Sequence, residues 1–181
     1  MIAPAAPVDA TYVLDSNIFV EAKQRHYAFD ICPWFWAALV WHHGNGRVFS
    51  IDRVKAELTE FGDELSDWVA NTMPDGCFFD TDMQPVHESY AEAVEWVNAQ
   101  EQFTGAAKAE FADVDNADAW VIAFAKAMQL TVVTHEKANP DIKRKVPIPN
   151  VCEALGVSYI DTFAMLRALN AQFGWTAPTL I

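Results

Sequence analysis

Four acidic residues stand where predicted strands end or predicted helices begin, so their carboxylates could bind one metal ion. Asp15 and Glu136 each follow a short apolar run that is typical of a buried strand. Asp118 lies in the first turn of a predicted helix, and Glu57 lies one turn into another. Two unit charges about 4 Å apart repel by roughly 4 kcal/mol at an effective dielectric near 20, and a divalent cation removes that repulsion. Oxygen ligands suit Mg²⁺ or Mn²⁺, which predicts metal-dependent hydrolysis of a phosphate ester.

Each acid also has a simpler explanation when it is taken alone. Asp15 could cap the helix that follows it, and Glu57 could be a solvated helix residue. Asp115 and Asp118 would both be favoured by the dipole of a helix N-terminus. Glu136 could be an ordinary loop residue. Only the joint pattern of four acids favours a metal site.

The elements that must position these acids alternate between strands and helices. Asp15 and Glu136 would lie beyond the carboxyl ends of two parallel strands, where ligands bind in open sheets. This alternation predicts an α/β fold with a central, mainly parallel sheet. Strands are predicted at residues 11–14, 47–50, 77–79, 130–133 and 157–160, and helices at 18–23, 34–42, 64–72, 84–103, 115–129 and 161–173.

Three further segments carry specific local predictions. A helix should begin after Ser50, acting as its N-cap, with Val54, Leu58 and Phe61 on one buried face. Residues 104–114 are predicted to form a looser connection. The two prolines at 147 and 149 are predicted to interrupt a loop.

Composition and length predict one folded domain in residues 1–181, with residues 1–10 as a flexible leader. Its 52% hydrophobic content excludes a disordered chain. We expect no signal peptide, because the first residues lack a basic segment followed by an apolar one, and no membrane span, because no apolar run is long enough. Three cysteines without CxxC spacing are expected to be free thiols in the cytoplasm. The net charge of −13 argues weakly against nucleic-acid binding, because phosphate contacts need basic residues.

Four segments resemble, in order, the acid-bearing segments of PIN-domain nucleases. Val-Leu-Asp-Ser-Asn at 13–17 is similar to their first strand and first acid, and residues 50–58 and 117–125 are similar to the segments that carry the second and third acids. Val-Val-Thr-His-Glu at 132–136 is similar to a strand end that usually reads Val-Thr-x-Asp. Segments 21–23, 33–36 and 148–152 resemble a bacterial PIN-like branch linked to type II toxin–antitoxin systems (VapC-like).

The resemblance implies a three-layer α/β/α sandwich and Mg²⁺- or Mn²⁺-dependent cleavage of single-stranded RNA. The protein would be the toxin of a toxin–antitoxin pair, inhibited by a cognate antitoxin, and a homodimer. The aromatic run at 34–36 would be core or dimer interface, with a base-stacking platform as the alternative. Residues 62–112 would be a helical insertion between the second and third acids. The chain departs from the family pattern at its fourth acid, which is a glutamate, one methylene longer than aspartate.

The resemblance also assigns roles to residues. Asp15, Glu57 and Asp118 would hold the metal, and Glu136 would complete its ligand shell. Asp115 would either share in ligation or cap the helix, and His135 could serve as a general base. The residues expected to orient the carboxylates by hydrogen bonds are Ser16, Asn17 and Thr134. The basic run Lys143, Arg144 and Lys145 would either contact substrate phosphate or be a solvated loop.

Two other functions remain open at the level of sequence. A non-catalytic PIN-like scaffold that binds protein or RNA would agree with the acidic charge and with Glu136. A structure-specific DNA nuclease would keep the same chemistry with a different substrate. The sequence shows none of the basic surface that such an enzyme needs.

Overall fold

A five-stranded, all-parallel sheet forms the centre of the computed structural model, which describes residues 11–174. Its strands lie in the order β3-β2-β1-β4-β5, so the first strand is central. The side chains of β1 are fully buried. The strands are β1 (Tyr12–Leu14), β2 (Val48–Ile51), β3 (Phe78–Phe79), β4 (Thr131–Val133) and β5 (Tyr159–Ile160).

Helices connect the parallel strands and cover the sheet, which gives the predicted three-layer α/β/α sandwich. Within residues 11–174, no helix is both long and apolar enough to cross a membrane. The helices are α1 (Ser16–Glu21), α2 (Pro33–Gly44), α3 (Asp52–Thr59), α4 (Glu64–Asn71), α5 (Gln84–Ala99), α6 (Gly105–Phe111), α7 (Ala117–Met128), α8 (Ile148–Leu155) and α9 (Thr162–Ala168). A π-helical turn, Ala22–His26, extends α1.

Helix α7 is the most deeply buried helix and carries one of the predicted metal ligands. All but one of its residues from Ala117 to Ala125 are buried, and it packs against α5. Because a helix that is apolar on nearly every side must be surrounded by protein, its position is strongly constrained. Its exception is Asp118, in the first turn, which lies half-buried. The side chain of Asn116 caps this helix by accepting a 2.8 Å hydrogen bond from the Asp118 N–H.

The prediction for the helix after β2 was wrong in two details. Ser50 does not cap α3, because its hydroxyl donates a 2.7 Å hydrogen bond to the Leu14 carbonyl and so ties β2 to β1. Phe61 does not share the buried face of Val54 and Leu58, since α3 ends at Thr59 and the Phe61 ring is 79% exposed. The spacing therefore predicted burial correctly for Val54 and Leu58, which lie in α3, and wrongly for Phe61, which lies beyond its end.

Two segments predicted to be irregular contain helices. Residues 104–114 include α6, whose start is capped by the Thr104 hydroxyl. The two prolines precede and begin α8 rather than interrupting a loop: Pro147 is the N-cap residue, and Pro149 lies in the first turn. Proline is compatible with a first turn, because its missing N–H has no partner there in any helix.

Some predicted boundaries also differ from the structure. Helix α5 ends at Ala99 and α9 at Ala168, both earlier than predicted. The segment 62–112 is largely helical, as predicted for an insertion. It also contributes β3, which pairs with β2, so part of it belongs to the central sheet. The predicted leader, residues 1–10, lies outside the described residues.

Candidate active site

The site begins where β1 and β4 end side by side. These strands are parallel neighbours, with Leu14 paired to Val133, so Asp15 and Thr134 leave the sheet at the same edge. The Asp15 N–H donates a 3.1 Å hydrogen bond to the Val133 carbonyl, which continues the ladder by one residue. The Asp15 side chain is only 1% exposed. A carboxyl group this deeply buried needs specific partners.

Thr134 supplies the hydrogen bonds that fix this edge. Its hydroxyl donates to Asp15 Oδ2 at 3.0 Å and accepts from Asn17 Nδ2 at 3.0 Å and from the Glu136 N–H at 3.2 Å. Asn17 Oδ1 accepts a 3.1 Å hydrogen bond from the His135 N–H. Thr134 therefore contacts the Asp15 carboxylate directly, whereas Asn17 contacts it only through the Thr134 hydroxyl.

Helices α3 and α7 bring the second and third acids to the same region. Glu57 Oε1 accepts a 3.1 Å hydrogen bond from the Ala117 N–H at the start of α7. The Glu57 and Asp118 carboxylates are close enough for their charges to interact. Glu57 thus does two things: it holds the N-terminus of α7 and places a second negative charge beside Asp118.

Glu136 reaches the cluster from the loop after β4. Its Oε2 accepts a 2.8 Å hydrogen bond from the Ile148 N–H at the start of α8, and its Oε1 forms an ion pair with the Lys145 ammonium group. The Lys145 Nζ also lies 3.9 Å from Asp118 Oδ2. Lys145 therefore connects the third and fourth acids.

Burial and mutual repulsion make ionisation of two of these acids unfavourable. Burial raises the pKa of Asp15, and the negative charges of Asp118 and Glu136 raise it further, while the hydrogen bond from Thr134 partly opposes the shift. Burial also raises the pKa of Asp118, with repulsion from Glu136 and Glu57, and the positive charge of Lys145 partly offsets it. Such a cluster favours either a bound proton or a bound cation.

The donor set fits a hard divalent cation. Asp15, Asp118 and Glu136 interact through carboxylate oxygens, the ligands that Mg²⁺ and Mn²⁺ prefer, and Glu57 adjoins Asp118. Among residues 11–174, no three His, Cys, Asp or Glu side chains are arranged as a ready-made set of metal ligands. The Lys145 ammonium group lies between two of the carboxylates instead.

Other predicted site residues lie at the margin of this cluster. Asp115 is exposed and precedes Asn116, the N-cap residue of α7, so it does not cap that helix. Ser16 lines a cleft of about 610 Å³ together with Glu57 and the exposed Phe61. Lys143 and Arg144 are exposed on the loop before α8.

His135 is oriented towards α9 rather than towards the acids. Its Nε2 lies 3.0 Å from the Thr162 hydroxyl, and its ring packs near those of His26 and Phe163. Burial lowers its pKa, which favours the neutral imidazole. These contacts indicate a packing role for this side chain.

Two partners of the acids were not predicted from the sequence. Asn116 caps α7 and so sets the orientation of the first turn that carries Asp118. The Ile148 N–H at the start of α8 holds Glu136. Each had a usable signal: asparagine before an apolar helix is a common N-cap, and proline in a first turn marks a helix start.

Comparison with known proteins identifies the family. The family model described as a domain of unknown function, DUF4411, matches residues 12–173. The chain belongs to this family. All four acids of the DUF4411 chain lie inside the matched region. A search of curated proteins gave no match.

The DUF4411 chain is similar to two solved structures. One is VapBC2 from Rickettsia felis bound to a DNA fragment from its promoter, at 15% identity and a TM-score of 0.52, covering 83% of this chain and 98% of that chain. The other is FitAcB from Neisseria gonorrhoeae, at 17% identity and a TM-score of 0.52, covering 83% of this chain and 96% of that chain. These likenesses confirm the PIN-like fold predicted from the sequence.

Proposed function

We propose that this protein is a nuclease that uses Mg²⁺ or Mn²⁺ to cleave single-stranded RNA, and that it acts in the cytoplasm as the toxin of a toxin–antitoxin pair. One observation carries the proposal. Asp15, Asp118 and Glu136 come from three separate elements, yet their carboxylates interact at one edge of a PIN-like sheet, with Glu57 beside Asp118. Since such clustering costs free energy, a cation-dependent role explains it better than a structural one.

Asp15, Asp118 and Glu136 would hold the metal, with Glu57 completing the set. When bound, a divalent cation supplies activation of water and stabilisation of negative charge on a phosphodiester. The protein's own contribution is orientation: Thr134 fixes one oxygen of Asp15, and the N–H groups of Ala117 and Ile148 fix one oxygen each of Glu57 and Glu136. Carboxylates held in this way need little rearrangement when the ion binds.

The substrate would approach across the loop that carries the basic run. Lys143, Arg144 and Lys145 are exposed there, and Lys145 reaches the acids directly. In a chain with a net charge of −13, this run would attract phosphate locally against an overall repulsive field. Cleavage should therefore depend only modestly on ionic strength, because few phosphate contacts release few counter-ions.

The direct test is a cleavage assay on end-labelled single-stranded RNA with Mn²⁺, Mg²⁺ or EDTA. Asp118→Asn should lower the rate at least about a hundredfold, because it removes one charged ligand from the cluster. Asp67→Asn is the matched control: Asp67 also lies in the first turn of a helix, α4, but it is exposed and is not among the charges that raise the pKa of Asp15 or Asp118. It should leave the rate unchanged.

The same assay separates substrates. The proposal expects single-stranded RNA to be cut faster than single-stranded DNA, duplex RNA or junction DNA. Faster cleavage of junction DNA would instead support a structure-specific DNA nuclease. No cleavage of any substrate, with equal Mn²⁺ affinity in the wild type and Asp118→Asn, would favour a non-catalytic scaffold and refute the proposal.

An antitoxin partner and a homodimer belong to the same proposal. The antitoxin partner is supported by the resemblance to PIN-like proteins of toxin–antitoxin systems and by the likeness to the VapBC2 and FitAcB structures. The dimer is supported by two exposed aromatic side chains on α2. Trp34 and Trp41 are more than 60% exposed, whereas Phe35 and Trp36 of the same helix are buried. Exposed tryptophans on one helix are typical of an interface. Sedimentation equilibrium should therefore give a dimer, and Trp41→Ser should weaken it.

A further inference from the structure

Lys145 has a position that a substrate-binding surface residue would not need. Its ammonium group forms an ion pair with Glu136 Oε1 and lies 3.9 Å from Asp118 Oδ2. These two carboxylates are only 16% and 21% exposed, whereas the lysine side chain is 48% exposed. The Asp15 carboxylate also interacts with this charge. One positive charge thus reaches three of the four acids from the solvent side.

The backbone around Lys145 is anchored, so the side chain is held close to the acids. The Lys143 carbonyl accepts a 2.8 Å hydrogen bond from the Thr104 N–H, and the Ile142 carbonyl accepts one of 2.8 Å from Gln102 Nε2. Val146, the next residue, is buried in the core. A lysine fixed between such points loses less conformational freedom on pairing than one on a mobile loop.

We propose that Lys145 is a built-in counter-ion of the carboxylate cluster, whose ammonium group competes with the divalent cation for the oxygens of Glu136 and Asp118. This inference rests on the proposed function. Two cations that share the same oxygens repel one another. Binding of the metal must therefore displace the ammonium group, or else the metal binds more weakly because of that repulsion. Once displaced, Lys145 stands at the edge of the site, where it can meet an anionic phosphate.

The glutamate at position 136 fits this role. Its carboxylate accepts from two donors at once, the Lys145 ammonium group through Oε1 and the Ile148 N–H at the start of α8 through Oε2. The methylene by which glutamate exceeds aspartate adds reach towards both partners. In this chain the longer side chain makes both contacts.

The test is titration of the full-length, metal-free protein with MnCl₂ by isothermal calorimetry at fixed pH and salt. Lys145→Met should bind Mn²⁺ about three- to tenfold more tightly than the wild type, which corresponds to loss of one partly exposed competing ion pair. Lys145→Arg keeps the charge and should stay within about twofold of the wild type. Lys143→Met is the matched control for net charge and should also stay within about twofold.

Unfolding of the same variants in EDTA supplies a readout that is independent of metal. Lys145→Met should have a lower urea midpoint than Lys143→Met, because its carboxylates lose their counter-ion. Lys145→Gln repeats both measurements with a polar side chain, in case the methionine variant does not fold.

The outcomes separate this inference from the proposed function. Equal Mn²⁺ affinity in Lys145→Met and the wild type overturns the inference, as does weaker affinity, which would make Lys145 a residue that assists metal binding. If Asp118→Asn loses Mn²⁺ binding while Lys145→Met is unchanged, only the inference fails. If the wild type and every variant bind no Mn²⁺, both fail.

Discussion

Replacing Thr134 by valine should destabilise the protein through polar contacts alone. Valine has nearly the shape of threonine, so the packing around this buried residue should change little. What is lost is a hydroxyl that donates to Asp15 Oδ2 and accepts from Asn17 Nδ2 and the Glu136 N–H, at 3.0, 3.0 and 3.2 Å. Thr134 is 1% exposed, so water cannot take the place of its hydroxyl without opening the site.

The magnitude follows from the number of hydrogen bonds. Each contributes about 1 kcal/mol net, and a buried group left without a partner costs about 1–3 kcal/mol. Asn17 and Glu136 are half-buried and can recover part of this loss from solvent, whereas Asp15 cannot. We therefore expect Thr134→Val to lower the free energy of unfolding by about 2–3 kcal/mol, which for a chain of this size lowers the Tm by about 4–12 °C.

The assay is urea and thermal unfolding in EDTA, with Thr134→Ser as the control. Serine keeps the hydroxyl and loses one buried methyl group, at a cost of about 1 kcal/mol. The valine variant should therefore be the less stable of the two, by about 1–2 kcal/mol. If the serine variant is the less stable one, packing and not hydrogen bonding holds this edge of the sheet, and the reasoning is wrong.

Three further predictions follow from the same contacts. Burial and the Asp118 charge raise the pKa of Asp15, so the folded metal-free protein holds a proton that the unfolded chain releases. The free energy of unfolding in EDTA should therefore fall as the pH rises above about 4, the pKa of an aspartate in an unfolded chain. Asp118→Asn should flatten this fall in urea midpoints between pH 5 and 8; parallel curves would contradict it. Glu57→Ala should lower the free energy of unfolding by about 1 kcal/mol, because the Ala117 N–H loses its acceptor. Glu57→Gln keeps an acceptor oxygen and should recover most of this loss, and urea unfolding of both variants measures the difference. Phe61→Ser should change the unfolding free energy by less than about 0.5 kcal/mol, since the ring is exposed; a loss above 1 kcal/mol would show that it packs.

Sequence patterns predicted the strands of the sheet well, because a buried strand is marked by a short run of apolar residues in the sequence. Residues 12–14 (Tyr-Val-Leu) and 131–133 (Thr-Val-Val) are mostly apolar and rich in β-branched or aromatic side chains, and both form interior parallel strands. The edge at which the acids meet follows from that parallel order, so the approach of Asp15 to Glu136 was predictable. The order of the strands in the sheet was not predicted from the sequence.

The features that were missed depend on contacts between distant parts of the chain. Ser50 looked like a helix cap because its type suits one, but the Leu14 carbonyl, 36 residues earlier in the chain, takes its hydroxyl. Phe61 continued the helical spacing of Val54 and Leu58, yet the helix ends before it. Local spacing cannot show where a helix stops when no strong cap marks the end.

The position of Lys145 was equally hidden from the sequence. A run of three basic residues on a loop predicts solvent exposure or phosphate contact, and neither explanation includes a contact with the acids themselves. That contact depends on how the loop is anchored by Thr104 and Gln102, which precede it by about 40 residues. Such anchoring by a separate element leaves no local signal.

A crystal of the protein soaked in Mn²⁺ and measured at the manganese absorption edge tests the central claim most directly. We predict an anomalous peak within coordination distance of carboxylate oxygens of Asp15, Asp118 and Glu136, with the Lys145 ammonium group moved away from Asp118. A saturating soak that leaves this position without a peak, or a peak bound by other residues, would contradict the proposed metal site.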